Sequence, residues 1–78
     1  MPKVTLLYFG SIRDITGLAS EQTVAPATLE ALHQELLFHY PSLQSAHYRY
    51  SVNETLITGD HQLADGDVIA LLPPFAGG

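Results

Sequence analysis

Apolar and polar residues recur along this chain with two different periods, and the switches between them mark out its elements. Over residues 3–9, Val4, Leu6 and Tyr8 alternate with Thr5, Leu7 and Phe9. Strand side chains point to the two faces in turn, so a run apolar on both faces predicts a strand inside a sheet rather than at its edge. Gly10-Ser11 breaks the run. Residues 12–17 predict a loop or short turn ending at Gly17, a residue suited to positive φ. Residues 21–25 predict a second strand, returning antiparallel and stopped by Pro26. The period then changes: Leu29, Leu32 and Leu36 fall at i, i+3 and i+7, with Glu30 and Gln34 off that stripe. This predicts one helix over residues 28–39, packed by its leucines on a sheet, with Thr28 as N-cap and Glu30 at the positive end of the dipole. Tyr40 precedes Pro41, which disfavours a further helical turn.

Period two then returns. Tyr48, Tyr50 and Val52 alternate with Arg49, Ser51 and Asn53, the pattern of a half-buried strand. Asn53-Glu54 predicts a tight turn into a short strand over residues 55–58, and Gly59-Asp60 turns the chain again. Residues 63–67 read as a turn in which Asp65-Gly66 supplies the left-handed position. Residues 68–72 are apolar at nearly every position, predicting a last strand lying centrally beside the first. One helix across a mixed sheet is an α+β sheet-and-helix roll, the β-grasp arrangement. Residues 1–78 read as a single domain without repeat, linker or low-complexity segment.

Composition narrows the function. At 78 residues with no cysteine, the chain has neither disulfides nor thiolate metal ligands, and its 46% hydrophobic content must supply the core. The formal net charge is −5, and the only lysine or arginine residues are Lys3, Arg13 and Arg49. Phosphate backbones need clustered cations, so nucleic acid is not an expected partner; a basic protein surface is. The opening residues lack a secretory pattern and no apolar run approaches membrane-spanning length, which predicts a cytoplasmic protein with no membrane partner. His33, His39, His47 and His61 suggest a metal, but the first three lack the i, i+4 helical spacing and no cysteine joins them; no metal site is expected. Asp65 and Asp67 flank Gly66 without the further oxygen ligands of a calcium loop. No phosphate-binding glycine loop or nucleophile elbow is present, so no side chain presents itself as a catalyst. Arg13 is either a solvated loop residue or a charged contact to a partner enzyme.

The chain ends Pro73-Pro74-Phe75-Ala76-Gly77-Gly78. A double proline stops a strand ladder, and six extended residues reach about 20 Å. Two glycines make the tip narrow enough to enter a channel closed to bulkier residues, where it presents only its own carboxyl group. The alternative is a frayed terminus.

Val52-Asn53-Glu54-Thr55-Leu56, the run from Leu63-Ala64-Asp65-Gly66-Asp67 through Val68–Leu72 to Pro73-Pro74, and the final Gly77-Gly78 together resemble the MoaD/ThiS family of sulfur carriers, most of all its molybdopterin-synthase branch. Val4–Phe9 with Ile12-Arg13-Asp14 and Gly17 fits the same pattern, so the resemblance spans the chain. It implies a ubiquitin-like β-grasp with residues 73–78 as a functional tail, and a defined cycle. An E1-like adenylyltransferase (MoeB-like) uses ATP to adenylate the Gly78 carboxylate, and a sulfur donor replaces AMP to leave a thiocarboxylate. The carrier then delivers sulfur within the large subunit of molybdopterin synthase (MoaE-like) to cyclic pyranopterin monophosphate, building a dithiolene. The implied assembly is a heterotetramer of two small and two large subunits, with no cofactor held permanently by the small one. By the same resemblance Gly78 is the covalent site and Gly77 gives channel access. Pro73, Pro74, Phe75 and Ala76 form the inserted arm, Phe75 being larger than the residue expected there. Leu56 and Leu72 are candidates for an exposed apolar docking patch, or else are plain core. A thiamin-pathway carrier, a ubiquitin-like modifier and a non-catalytic β-grasp interaction module are the rival readings.

Overall fold

The structure is a computed structural model and describes residues 1–74. In chain order its elements are β1 (Lys3–Tyr8), α1 (Ser11–Thr16), β2 (Ser20–Val24), α2 (Leu29–His39), a 3-10 helix (Pro41–Ser45), β3 (Arg49–Val52), β4 (Thr55–Ile57) and β5 (Val68–Leu72). The five strands make one sheet in the order β2-β1-β5-β3-β4. β1 and β5 run parallel at its centre, in the register Thr5↔Val68 to Tyr8↔Leu71, and every other pairing is antiparallel. This is the β-grasp roll, and the first and last strands lie side by side as their apolar composition predicts.

Strand alternation builds the core. Val4, Leu6 and Tyr8 of β1, Ile69 and Leu71 of β5 and Val52 of β3 all face the helices and are buried. Leu29, Leu32 and Leu36 of α2 close over them, with Leu43 of the 3-10 helix and Ile12 of α1 filling the ends. Burying a leucine or tyrosine side chain is worth about 1.5–3 kcal/mol, so this one face carries most of the stability. α2 starts where its cap predicts: the Thr28 hydroxyl accepts from the Ala31 N–H at 3.2 Å.

Several boundaries differ from those predicted. Residues 12–17 do not form a loop: Ser11–Thr16 is a short helix anchored by the fully buried Ile12. It ends at Gly17, which has φ 76° and donates its N–H to the Arg13 carbonyl at 2.7 Å. One and a half turns are too short to display a 3.6-residue period, so only the glycine signal was visible. Pro41 likewise opens a 3-10 turn that buries Leu43. Phe9, Ala25 and Thr58 lie just outside their strands, while β2 begins one residue earlier, at Ser20. Ser51 is buried despite its polar position, because its small side chain lies between Ala70 and Leu56 on neighbouring strands.

The two motif segments meet at one junction. The Asn53 side chain donates to Asp67 Oδ1 at 2.9 Å and accepts from the Val68 N–H at 3.0 Å. Asp67 Oδ2 accepts from the Ala64 N–H at 2.8 Å, and the Gly66 N–H reaches the Lys3 carbonyl at 2.8 Å. These bonds fix where β5 begins relative to β1 and β3. They therefore also fix where, five residues later, the chain leaves the sheet.

Candidate functional site: the root of the tail

With Ile69 and Leu71 facing the helices, Ala70 and Leu72 must face the other side of the sheet. Register places Leu7, Ala70, Ser51 and Leu56 in one row across this outer face, and Leu72 beside Arg49 in the next. Leu56 is 52% exposed and Phe9 44%, whereas the inner-face leucine Leu6 is 1% exposed. Leu56, Leu72, Pro73 and Pro74 line a single cleft of about 470 Å³, completed by Ala46, His47, Tyr48 and Arg49. Sequence reading placed none of these last four at the docking site, although the alternation of residues 48–53 already put Arg49 opposite in sense to Tyr48. What the sequence lacks is the pairing that sets Arg49 against Leu72.

Pro73 is the first residue beyond β5 and packs beside Gly10. A Cβ at Gly10 would stand 3.1 Å from Pro73 Cγ, and Gly10 has φ +54°. The positive φ favours glycine there, and any side chain would also press on Pro73. Arg13 lies elsewhere, exposed in a shallow recess with Asp14, Gly17 and Leu18, to which Gly10 also contributes. Gly10 thus joins the tail root to the Arg13 recess. Phe75, Ala76, Gly77 and Gly78 lie outside the described residues.

Two further polar clusters are half-buried. Glu21 Oε2 accepts from the Tyr8 hydroxyl at 2.5 Å and from Tyr40 at 3.2 Å. Burial, and then the Glu21 carboxylate, push both phenols above their ordinary range, which keeps them as donors. His33 Nδ1 lies 2.8 Å from the Tyr50 hydroxyl and 3.5 Å from that of Tyr48. Burial raises both of these tyrosines as well. Among the described residues no buried side-chain polar atom lacks a partner, and no group of three His, Asp or Glu side chains is placed to hold a metal ion. No described helix is long and apolar enough to cross a membrane.

The central strand of the sheet thus exits beside a largely apolar cleft, its register set by the Asn53–Asp67 junction. Residues 6–78 match the ThiS family. The chain belongs to that family. It is 32% identical to the molybdopterin synthase sulfur carrier subunit of Escherichia coli (strain K12), over 96% of this chain and 99% of that one. This ThiS-family fold superposes with a TM-score of 0.87 on a putative molybdopterin converting factor, subunit 1, from Pyrococcus furiosus, at 24% identity, covering 96% of this chain and all of that one. It also matches a chain from the complex of subunits 1 and 2 of the molybdopterin-converting factor of Helicobacter pylori. There the TM-score is 0.74 and the identity 29%, over 97% of this chain and 99% of that one. The family resemblance carried by the Asn53-Glu54, Asp65-Gly66-Asp67 and Pro73-Pro74 segments is thus a family relationship.

Proposed function

We propose that this protein is the sulfur carrier of a molybdopterin synthase, bearing its sulfur as a thiocarboxylate on Gly78. The observation that carries the reading is near full-length similarity to a sulfur carrier subunit. The geometry agrees with it, because β5 ends at Leu72-Pro73-Pro74 beside an exposed apolar cleft.

In the proposed cycle the Gly78 carboxylate attacks the α-phosphorus of ATP on an E1-like adenylyltransferase, and pyrophosphate leaves. A carboxylate is a poor electrophile, and the acyl-adenylate gives it a good leaving group. Hydrosulfide supplied by a sulfur donor then attacks the acyl carbon, AMP departs with its oxygen, and a C–S bond replaces one C–O bond to leave the thiocarboxylate. The body docks its outer sheet face on the synthase large subunit. The arm of Pro73, Pro74, Phe75, Ala76 and Gly77 sets the sulfur against cyclic pyranopterin monophosphate, and positioning of the reacting atom is the carrier's whole contribution. The complex of subunits 1 and 2 seen for the Helicobacter pylori relative supports a large-subunit partner. A heterotetramer of two small and two large subunits is part of the same proposal.

The test is to incubate the protein with its activating enzyme, ATP and a sulfur donor, and to weigh it intact. Exchange of one oxygen for sulfur, lost when Gly78 is deleted, is the expected outcome. An unchanged mass alongside a carrier that the same mixture does sulfurate would overturn the proposal. Isopeptide conjugates on other proteins would point instead to a modifier.

A further inference from the structure

We infer that Arg49 is a specificity contact at the root of the tail, and that the partner seated in this cleft presents a carboxylate beside an apolar side chain. The inference rests on the carrier reading above and states what the docked large subunit must display. Against eight acidic residues the chain has three lysine or arginine residues. Lys3 opens β1, at the far end of the sheet from Leu72, and Arg13 lies in a separate recess. Arg49 alone of the three lines the cleft, paired across the strands with Leu72, the residue before the tail.

Among the described residues no Asp or Glu lines that cleft. The neighbours of Arg49 on the outer face are Leu72 and, along its own strand, Ser51 with Leu56 beyond it. Arg49 therefore stands exposed on a floor formed largely by Ala46, Leu56, Leu72, Pro73 and Pro74, where the other polar side chains, His47 and Tyr48, offer no carboxylate. A partner that covers the floor also covers this charge, and an arginine buried without a counter-charge is strongly unfavourable. A wholly apolar partner surface is thus rejected. One that sets an Asp or Glu against the planar guanidinium gains a two-pronged, charge-assisted bond. Leu56 and Leu72 supply affinity, and Arg49 decides which apolar surface is accepted.

The experiment measures binding of the molybdopterin synthase large subunit from the same organism to the full-length chain. The variants are Arg49→Glu, Arg49→Leu, Lys3→Glu and Leu56→Asp, each checked for folding by circular dichroism. Arg49→Glu is expected to weaken binding by at least about tenfold. Lys3→Glu makes the same change in net charge at the far end of the same face and is expected to cost less than about twofold. Arg49→Leu is expected to bind with less salt dependence than the parent, because the screened attraction is gone. Equal losses from Arg49→Glu and Lys3→Glu would reduce the effect to net charge and overturn the inference. So would parent-like binding by Arg49→Glu while Leu56→Asp fails to bind, an outcome that leaves the carrier reading intact. A parent chain that does not bind the large subunit removes both readings together. Should Arg49→Glu not fold, Arg49→Leu and its salt profile decide the matter alone.

Discussion

At Asp67 one carboxylate ties two loops together, and its charge does the tying. Oδ2 takes the Ala64 N–H and Oδ1 the Asn53 amide, and the side chain is almost wholly enclosed, at 8% exposure. Those donors, the Ala64 N–H first, stabilise the ionised form and hold the acid below its ordinary value of 3.8. The folded state therefore binds this proton more weakly than the unfolded chain does. The stabilisation is fully present above the unfolded value and is lost as pH falls through the lowered one. Asp67→Asn keeps the shape but turns one acceptor into a donor facing a donor, and is expected to cost about 1–2 kcal/mol at neutral pH. The deficit should shrink steadily in urea titrations taken below the ordinary carboxylate range. A deficit that stays constant down to about pH 2 would mean that the negative charge is not what holds the loops. Two core-packed tyrosines carry the opposite sign. Tyr8 and Tyr50 are raised by burial, so their contribution is intact below the ordinary phenol value of 10.0 and fades as alkali is added.

The β3–β4 hairpin shows one element bent to the needs of another. Asn53 and Glu54 both have positive φ, 50° and 70°, as a two-residue hairpin connection requires. Asparagine accepts that conformation and here uses its amide to grip Asp67 and Val68, whereas glutamate is strained in it. Glu54→Gly should therefore raise stability by about 0.5 kcal/mol, the relief of strain being partly offset by the freer unfolded chain. Asn53→Gly, which fits the turn equally well, should lower it because the amide contacts go. Denaturant midpoints at unchanged slope measure both. The turn itself was legible from Asn53-Glu54, as were the helix cap at Thr28 and the central places of β1 and β5, because each rests on local period or turn chemistry. α1 and the 3-10 helix were not, since Ile12 and Leu43 are single buried anchors with no repeat to reveal them. Nor was the cleft. Leu56 and Leu72 could be named as candidates, but burial and the pairing of Arg49 with Leu72 come from strand register, which no single segment encodes.

In the whole molecule the sheet divides its labour between two faces, and that division can be tested by exchanging matched losses. The inner face buries Leu6 against α2, and a domain of this size has roughly 5–15 kcal/mol of net stability. Leu6→Ala removes buried methylenes and leaves a cavity, so it is expected to cost about 2–5 kcal/mol, a large share of the total. Leu56, on the outer face and 52% exposed, gives up little on folding, and Leu56→Asp should shift stability by no more than about 0.5 kcal/mol. Binding should rank the two the other way. If the outer face docks a synthase large subunit as proposed, Leu56→Asp, which places a carboxylate in the cleft, should abolish that binding. Leu6→Ala, assayed well below its unfolding temperature, should bind nearly as the parent does, because its outer face is unchanged. If Leu56→Asp unfolds the domain, or Leu6→Ala loses binding while still folded, the two faces are not separable. The tail would then be delivered by the packing of the whole domain rather than by a surface the core merely supports.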